Sequence, residues 1–320
     1  MRILKIVLLC VGALVLGVLV HRVGTRAILE TLDRLTWWQF VLICLPYAGI
    51  MAVDTLGWRF AFARDRAPFL SLYVARLVGE ALNIVTALGS VGGEAAKAWL
   101  VRDDVSYAES VPSVIIAKTT ITIAQAMFLM IGIVLAWTTL DVSSEILRWM
   151  LWILAVEVVA VAGFFGAQVA GLVGRGGRLL KAFGVIDDVG GAQKLDAALR
   201  GYYRREWRRF ALSVAFHLAG WLVGVVEVLI MLWALGIKTS AATAVVIDAL
   251  GSGVRFATFL VPASLGAFEG ANAIAFGALG FGAGAGLAFS FLRRARQAVW
   301  VVIGILMILP GFLRGRRRRR

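Results

Sequence analysis

The sequence has very few of the residues that build disulfides or metal sites. Its 320 residues include two cysteines, Cys10 and Cys44, and two histidines, His21 and His217. Both cysteines lie within apolar runs, so neither a disulfide scaffold nor a cysteine metal centre is available. We therefore expect no metal and no cofactor.

Charge is also scarce, since 16% of the residues are charged and 61% are hydrophobic. A chain of this length cannot bury that much apolar surface in a soluble core, so its composition indicates a protein in a lipid bilayer. The charges that are present give a net charge of +14. The basic excess lies mainly at the ends of apolar segments, which favours topological charge and contact with anionic phospholipids over nucleic-acid binding.

Six apolar runs are long enough to cross a membrane: 6–20, 38–58, 107–137, 146–173, 210–236 and 297–313. The first run follows Arg2 and Lys5 as a signal peptide would. No small-x-small cleavage site follows it, so we expect an uncleaved membrane helix.

The connections between the runs predict their orientation. Segment 174–209 holds nine basic and four acidic residues, whereas 138–147 holds only Asp141 and Glu145. The first connection is therefore predicted to be cytoplasmic. Counting spans from there places both termini on the cytoplasmic side of the cell inner membrane. Segment 21–36 falls outside, where we expect an amphipathic interfacial helix.

Two further apolar stretches, 70–101 and 241–285, do not fit as simple spans. We expect each to form a re-entrant hairpin, because glycine and proline interrupt it. Kinks within ordinary membrane helices would explain each break equally well. The expected breaks are at Gly89, Gly92 and Gly93, and around Gly251, Gly253, Pro262 and Gly266.

Charged residues inside the apolar segments recur at a fixed spacing. Glu94 and Glu269 differ by 175 positions, as do Lys118 and Arg293, while Asp54 and Glu227 differ by 173. The spacing predicts two units of span, hairpin and span with opposite orientation, related by a pseudo-twofold axis in the membrane plane.

The predicted fold is an all-α polytopic membrane protein with an inverted repeat, six full spans and two broken hairpins. Residues 1–320 form a single membrane domain. Its parts are an N-terminal span and interfacial helix at 1–37, repeat 1 at 38–137, a connecting span and cytoplasmic basic loop at 138–209, repeat 2 at 210–313 and a basic tail at 314–320.

The hairpin tips predict an anion site. Free N–H groups at Gly92 and Gly93, and at Gly266 after Pro262, would suit a phosphate at a helix N-terminus. Lys118, Arg293, Arg294 and Arg296 would line one basic cavity. Glu94, Glu269, Asp54 and Glu227 are the available counter-charges, and simple structural pairing of these acids and bases remains an alternative. Further polar residues that could line the path are Arg76, Glu80, Asn83, Thr86, Asp248, Ser252, Arg255 and Asn272.

Two motifs carry a family resemblance. The first runs from Arg76-x-x-Gly79 through Asn83 to Gly92-Gly93-Glu94 and Lys97-Ala-Trp-Leu. It resembles the first signature of the flippase-like membrane region of lysylphosphatidylglycerol synthases. The second, Val261-Pro262-Ala-Ser-Leu-Gly266-Ala-Phe-Glu269, resembles that family's proline-glycine-glutamate signature, with Pro-Ala-Ser in place of the common Pro-Gly-Gly. Together with Arg293-Arg294-x-Arg296, this variant is similar to the hopanoid-biosynthesis-associated branch.

The resemblance implies movement of a polar lipid between leaflets, or a partner role in envelope lipid synthesis. Three hypotheses follow: a lipid transporter, an integral-membrane enzyme with Glu94 or Glu269 as general base, and a subunit that recruits lipid-biosynthesis enzymes. We favour the transporter, whose ligand is a phosphate-bearing or hopanoid-type lipid. The sequence contains no zinc-type histidine motif, nucleophile elbow or acidic diphosphate-binding motif that would favour an enzyme.

Overall fold

The computed structural model describes residues 2–23, 35–64, 67–85, 90–139, 144–172, 174–175 and 190–317. These residues form eleven α-helices and one 3-10 helix, with no β-strand among them. The helices are α1 (Arg2–Val23), α2 (Trp37–Ala61), α3 (Phe69–Val85), α4 (Ser90–Leu100), α5 (Tyr107–Thr139), α6 (Ser144–Val169), α7 (Gly190–Arg205), α8 (Trp207–Ala234), α9 (Ala241–Ala257), α10 (Ala267–Ala278) and α11 (Ala283–Arg317), and the 3-10 helix is Pro262–Ser264.

Four of the described helices, α2, α5, α6 and α8, are long and apolar enough to cross a membrane. They correspond to the second to fifth predicted spans, and the prediction of an all-α polytopic membrane protein is confirmed. In α6 only 11% of the apolar window is buried within the protein, so most of this helix is available to lipid. The first and last predicted spans lie within α1 and α11, and their crossing of the bilayer stays a prediction.

The expected breaks are only partly confirmed, since Pro262 and Gly266 do lie in the break between α9 and α10 but other glycines do not lie at breaks. Gly92 and Gly93 lie inside α4, and Gly251 and Gly253 lie inside α9, so the breaks predicted at these four residues are wrong. Small residues allow close helix packing in membranes, and Gly93, Gly251 and Gly253 serve that purpose, because an added Cβ atom would lie 2.0, 3.0 and 2.9 Å from its nearest neighbour. The other predicted features, Gly89, Thr86 and most of segment 21–36, lie outside the described residues.

The second hairpin also ends differently from the prediction. The chain leaves α9 after Ala257, passes through the 3-10 helix and resumes as α10. A second turn follows, after which α11 continues for 35 residues. The predicted last span at 297–313 is therefore only part of a longer helix, because its arginines interrupt the hydropathy but not the backbone.

The described chain divides into two compact units. Unit 1 comprises 1–50, 125–158 and 220–299, and unit 2 comprises 51–124, 159–219 and 300–320. Unit 1 contains the second hairpin and unit 2 contains the first. Within unit 2, a buried apolar core includes Trp58 and Phe62 of α2, Leu72 of α3, Ile116 of α5 and Leu199 of α7.

These units bear on the inverted repeat, which stays a prediction. Unit 2 holds 51–124 of the first repeat, and moving these bounds by the 175-residue spacing gives 226–299. Unit 1 holds 220–299 of the second repeat. The part of repeat 1 that belongs to unit 2 thus matches the part of repeat 2 that belongs to unit 1, as expected if the two repeats have the same fold.

Close contact between α3 and α4 builds the first hairpin. A Cβ atom added to Gly93 would lie 2.0 Å from the Gly79 carbonyl oxygen and 2.2 Å from Oδ1 of Asn83. A Cβ atom added to Gly79 would lie 2.5 Å from Cγ of Lys97. Both positions therefore require glycine, and the contact sets Lys97 of α4 beside the polar residues of α3.

We expect Gly93→Ala to lower the free energy of unfolding by about 1–3 kcal/mol, the usual cost of overpacking a close contact. Gly49→Ala in α2 is the matched control, because nothing lies within 4 Å of its added Cβ atom. The control should change stability by less than about 1 kcal/mol. Thermal unfolding of the purified proteins in detergent measures both, and equal stability of the two variants would contradict the close packing.

Candidate functional site

A small open cavity lies in unit 2, between the first hairpin and the helices α2 and α5. The empty space of about 310 Å³ counts the open solvent at its mouth, and the enclosed part has room for only a few water molecules. Charged and apolar residues both line the cavity. The charged lining residues are Arg76, Glu80, Glu94, Lys97 and Lys118, and the apolar ones are Trp58, Val114, Ala117 and Ile121.

Lys97 binds two of the carboxylates that line the cavity. Its ammonium group donates to Glu80 Oε1 at 2.7 Å and to Glu94 Oε1 at 3.1 Å. The Lys97 side chain is only 6% exposed, so the two carboxylates offset the cost of burying its charge. One lysine shared by two carboxylates leaves this group of three with a net charge of −1.

Lys118, in contrast, has no carboxylate within ion-pair distance among the described residues, and its side chain is exposed. It lies on α5 at the cavity wall. Lys118 therefore presents a cation that is available to a ligand.

A buried network of ion pairs and hydrogen bonds extends from the cavity wall into the interior of unit 2. Arg76 on α3 donates to Asp54 Oδ2 at 2.9 Å, and Nδ1 of His217 on α8 lies 3.0 Å from Asp54 Oδ1. His217 is completely buried. Gly57 makes room for it, because a Cβ atom there would lie 2.7–2.8 Å from three ring atoms of the imidazole.

The expectation of free N–H groups at the hairpin tips is wrong for Gly93 and Gly266. The N–H of Gly93 donates to Asn83 Oδ1 at 2.9 Å, and the N–H of Gly266 donates to Glu269 Oε2 at 2.7 Å. Side chains of the hairpins themselves cap these helix starts, as exposed N–H groups at helix N-termini require.

Unit 1 contains a second charged cluster. Arg293 on α11 donates to Asp248 Oδ1 of α9 at 2.6 Å and lies 3.6 Å from Glu227 of α8. Arg296 lies 3.2 Å from the same Glu227 carboxylate and over the ring of Tyr47. These ion pairs account for most of the buried charge in this cluster.

The ion pairs around Glu227 leave several buried polar atoms without a hydrogen bond. Both carboxylate oxygens of Glu227, and Nε of Arg293 and of Arg296, are buried without a hydrogen-bond partner in the described structure. Buried polar groups of this kind are usually bridged by internal water. The cluster is therefore suited to hydration.

Glu269 braces the second hairpin. The carboxylate is 0% exposed, accepts from the N–H of Gly266, and accepts from Nε of Arg294 on α11. Nη2 of Arg294 also donates to the carbonyl oxygen of Ala263 at 3.2 Å. These bonds join the loop, the start of α10 and α11 within unit 1, so Glu269 has a structural function in this conformation.

The loop braced by Glu269 adopts an unusual backbone. Ala263 and Ser264 have φ values of 53° and 51°, in the left-handed region where non-glycine residues are strained, and Gly266 has φ 79°. Ala263 and Ser264 stand where the resembled signature has glycine. The left-handed backbone explains why glycine suits these positions.

The predicted site residues divide between the two units. Asp54, Arg76, Asn83, Gly92, Gly93, Glu94 and Lys118 belong to unit 2, and Glu227, Pro262, Gly266, Glu269, Arg293 and Arg294 belong to unit 1. Sequence reasoning missed His217 and the central position of Lys97. A signal existed for both, since each is a titratable residue within an apolar stretch.

We expect Ala263→Gly to raise the free energy of unfolding by up to about 1 kcal/mol, because glycine adopts a positive φ without the side-chain clash. Ala271→Gly, in the middle of α10, should lower it by about 1 kcal/mol. Thermal unfolding in detergent distinguishes the two variants. A destabilising Ala263→Gly would show that the left-handed backbone is not strained.

We expect Glu269→Gln to lower the free energy of unfolding by about 1.5–3 kcal/mol, because Arg294 loses its charged partner. Glu94→Gln should cost less than about 1 kcal/mol, since Lys97 keeps Glu80 and the Glu94 side chain is 21% exposed. Equal losses in chemical or thermal unfolding would contradict a bracing function specific to Glu269.

Comparison with known proteins finds one family match, described as the lysylphosphatidylglycerol synthase TM region, over residues 2–311. No curated protein and no solved structure matches significantly. The match covers nearly the whole chain, including both charged clusters. The chain therefore belongs to the family of the lysylphosphatidylglycerol synthase transmembrane region.

Proposed function

We propose that this protein transports or presents a phosphate-bearing lipid, and that the cavity of unit 2 receives the lipid head group. The observation that carries the proposal is Lys118, a cation on a membrane helix that lines a charged cavity without an ion-pair partner among the described residues. The family relationship supports a lipid-related function for a membrane protein.

A charged side chain at the depth of Lys118 is costly unless it is paired. Lys118 lies eleven residues after the start of α5, or about 17 Å along the helix axis, which is about half of a hydrocarbon core. A cation at that depth costs about 2.5–3.5 kcal/mol on insertion scales. A bound phosphate would supply the direct ion-pair partner that no described carboxylate gives Lys118.

The mixed lining of the cavity also suits an amphiphile. Lys118 lies on α5 beside the apolar lining residues Val114 and Ile121. A phosphate at the open mouth can contact Lys118 while the adjoining glycerol and acyl carbons contact apolar residues of α5. Glu80 and Glu94 hold Lys97 in place in the same lining.

The same geometry supports transport over catalysis. Glu94 is paired with Lys97, and Glu269 is fully buried and bound to Gly266 and Arg294. A carboxylate engaged in this way is a poor general base, because it must break its own bonds to accept a proton.

The localisation follows from the distribution of charge. The basic residues between α6 and α8 and at the C-terminus support a cell inner membrane with both termini in the cytoplasm. The Pro-Ala-Ser variant of the second signature supports a hopanoid-type lipid as one candidate. Anionic phospholipids and lipid-biosynthesis enzymes are the further partners that we propose.

We expect Lys118→Gln to slow lipid movement at least tenfold in reconstituted vesicles, because the head group loses its unpaired cation. The assay follows acyl-labelled fluorescent phosphatidylglycerol and its quenching by dithionite from one side. Lys118→Arg should retain activity, since it keeps the charge.

Lys194→Gln is the matched control, because Lys194 is exposed on the polar helix α7 outside the cavity. It should move lipid at the normal rate. Normal movement by Lys118→Gln, with the protein correctly inserted, would overturn the assignment of the cavity as the head-group site.

A further inference from the structure

The network behind the cavity links a buried histidine to a cavity wall. Arg76 lines the cavity and is bound to Asp54, and the other oxygen of Asp54 is bound to His217. One carboxylate is therefore shared between a guanidinium group and an imidazole. Any change in the charge of the imidazole acts on the partner of Arg76.

The second ring nitrogen of His217 is an open position. Nε2 is buried and has no hydrogen-bond partner in the described structure. If Nδ1 carries its proton toward Asp54, Nε2 is a bare acceptor that can take up one further proton.

The charged groups that act on the imidazole come from three helices. Burial of the ring disfavours a positive charge on it most strongly. Asp54 on α2, which bonds to the ring, attracts that charge, and Arg76 on α3 and Lys97 on α4 repel it. The two opposing cations line the cavity. An anion in the cavity would therefore offset their repulsion and favour protonation of His217.

We propose that His217 is a proton-binding site coupled to the cavity, so that one proton is taken up at Nε2 when the anionic head group binds. This inference rests on the proposed function and names the ion that accompanies the lipid. No bond other than the new N–H forms, and the imidazole becomes an imidazolium.

The coupling works in both directions. An imidazolium attracts the Asp54 carboxylate more strongly through Oδ1, which weakens the pairing of Oδ2 with Arg76 and leaves more of the guanidinium charge to act on an anion in the cavity. The bound proton also adds one positive charge to a network in which Arg76 and Asp54 cancel. Because linkage is reciprocal, a head group that binds more tightly to the protonated form must also promote protonation.

The first experiment measures proton uptake on binding. Short-chain phosphatidylglycerol is titrated into the detergent-solubilised protein by calorimetry, in buffers that differ in ionisation enthalpy. We expect about one proton taken up per lipid bound near the pH at which His217 titrates, and an affinity that rises by at most about tenfold for each pH unit lowered.

The exposed His21 gives a matched control, because the chain has only two histidines. His217→Gln should bind the lipid with no pH dependence from this source and no matching proton uptake, whereas His21→Gln should behave like the unmodified protein. A structural brace would change affinity or stability at every pH without abolishing proton uptake.

A spectroscopic measurement does not depend on the His217 variant folding. In isotope-labelled His21→Gln, nuclear magnetic resonance of the single remaining imidazole reports its protonation directly. Addition of the lipid should shift its titration toward higher pH. Lipid binding with no shift and no proton uptake would overturn the coupling and leave the proposed function standing, whereas no lipid binding by the unmodified protein would overturn both.

Discussion

The cost of placing charge in hydrocarbon governs the arrangement of this protein. A charged side chain in a bilayer needs a counter-charge, a hydrogen-bond partner or water. The structure meets this need by pairing cations with carboxylates from neighbouring helices, as with Arg76 and Asp54, or Lys97 and Glu80. Among the charged residues that line the cavity of unit 2, Lys118 departs from this pattern, and for that reason we propose that it binds a ligand.

The sequence predicts much of this arrangement, for physical reasons that differ between features. Hydropathy is summed over about twenty residues, so α2, α5, α6 and α8 could be found without knowing what they contact. The breaks could not, because glycine permits both a turn and a close contact between helices. Gly93 makes a contact with Gly79, fourteen positions away, and no local pattern distinguishes the two uses.

The candidate site shows the same division. The charged residues of the hairpins could be identified as candidate site residues from the sequence, since charged residues inside apolar membrane segments are rare and usually functional. Their pairing was not recognisable, because Asp54 meets Arg76 across 22 positions and His217 across 163. The expectation of free N–H groups at the hairpin tips was wrong for a related reason. The side chains of Asn83 and Glu269 accept from these groups, and only the tertiary structure shows that they do so.

The uninterrupted length of α11 has a consequence for the arginines that it carries. Thirty-five residues rise about 52 Å, whereas a hydrocarbon core is about 30 Å thick. If α11 crosses the bilayer as predicted, it has to tilt or project, and hydrophobic mismatch sets the balance. Arg293, Arg294 and Arg296 follow ten or more residues after its start, so a thicker or thinner bilayer would shift their height relative to the lipid head groups. Membrane composition would then be a physical variable of the second charged cluster.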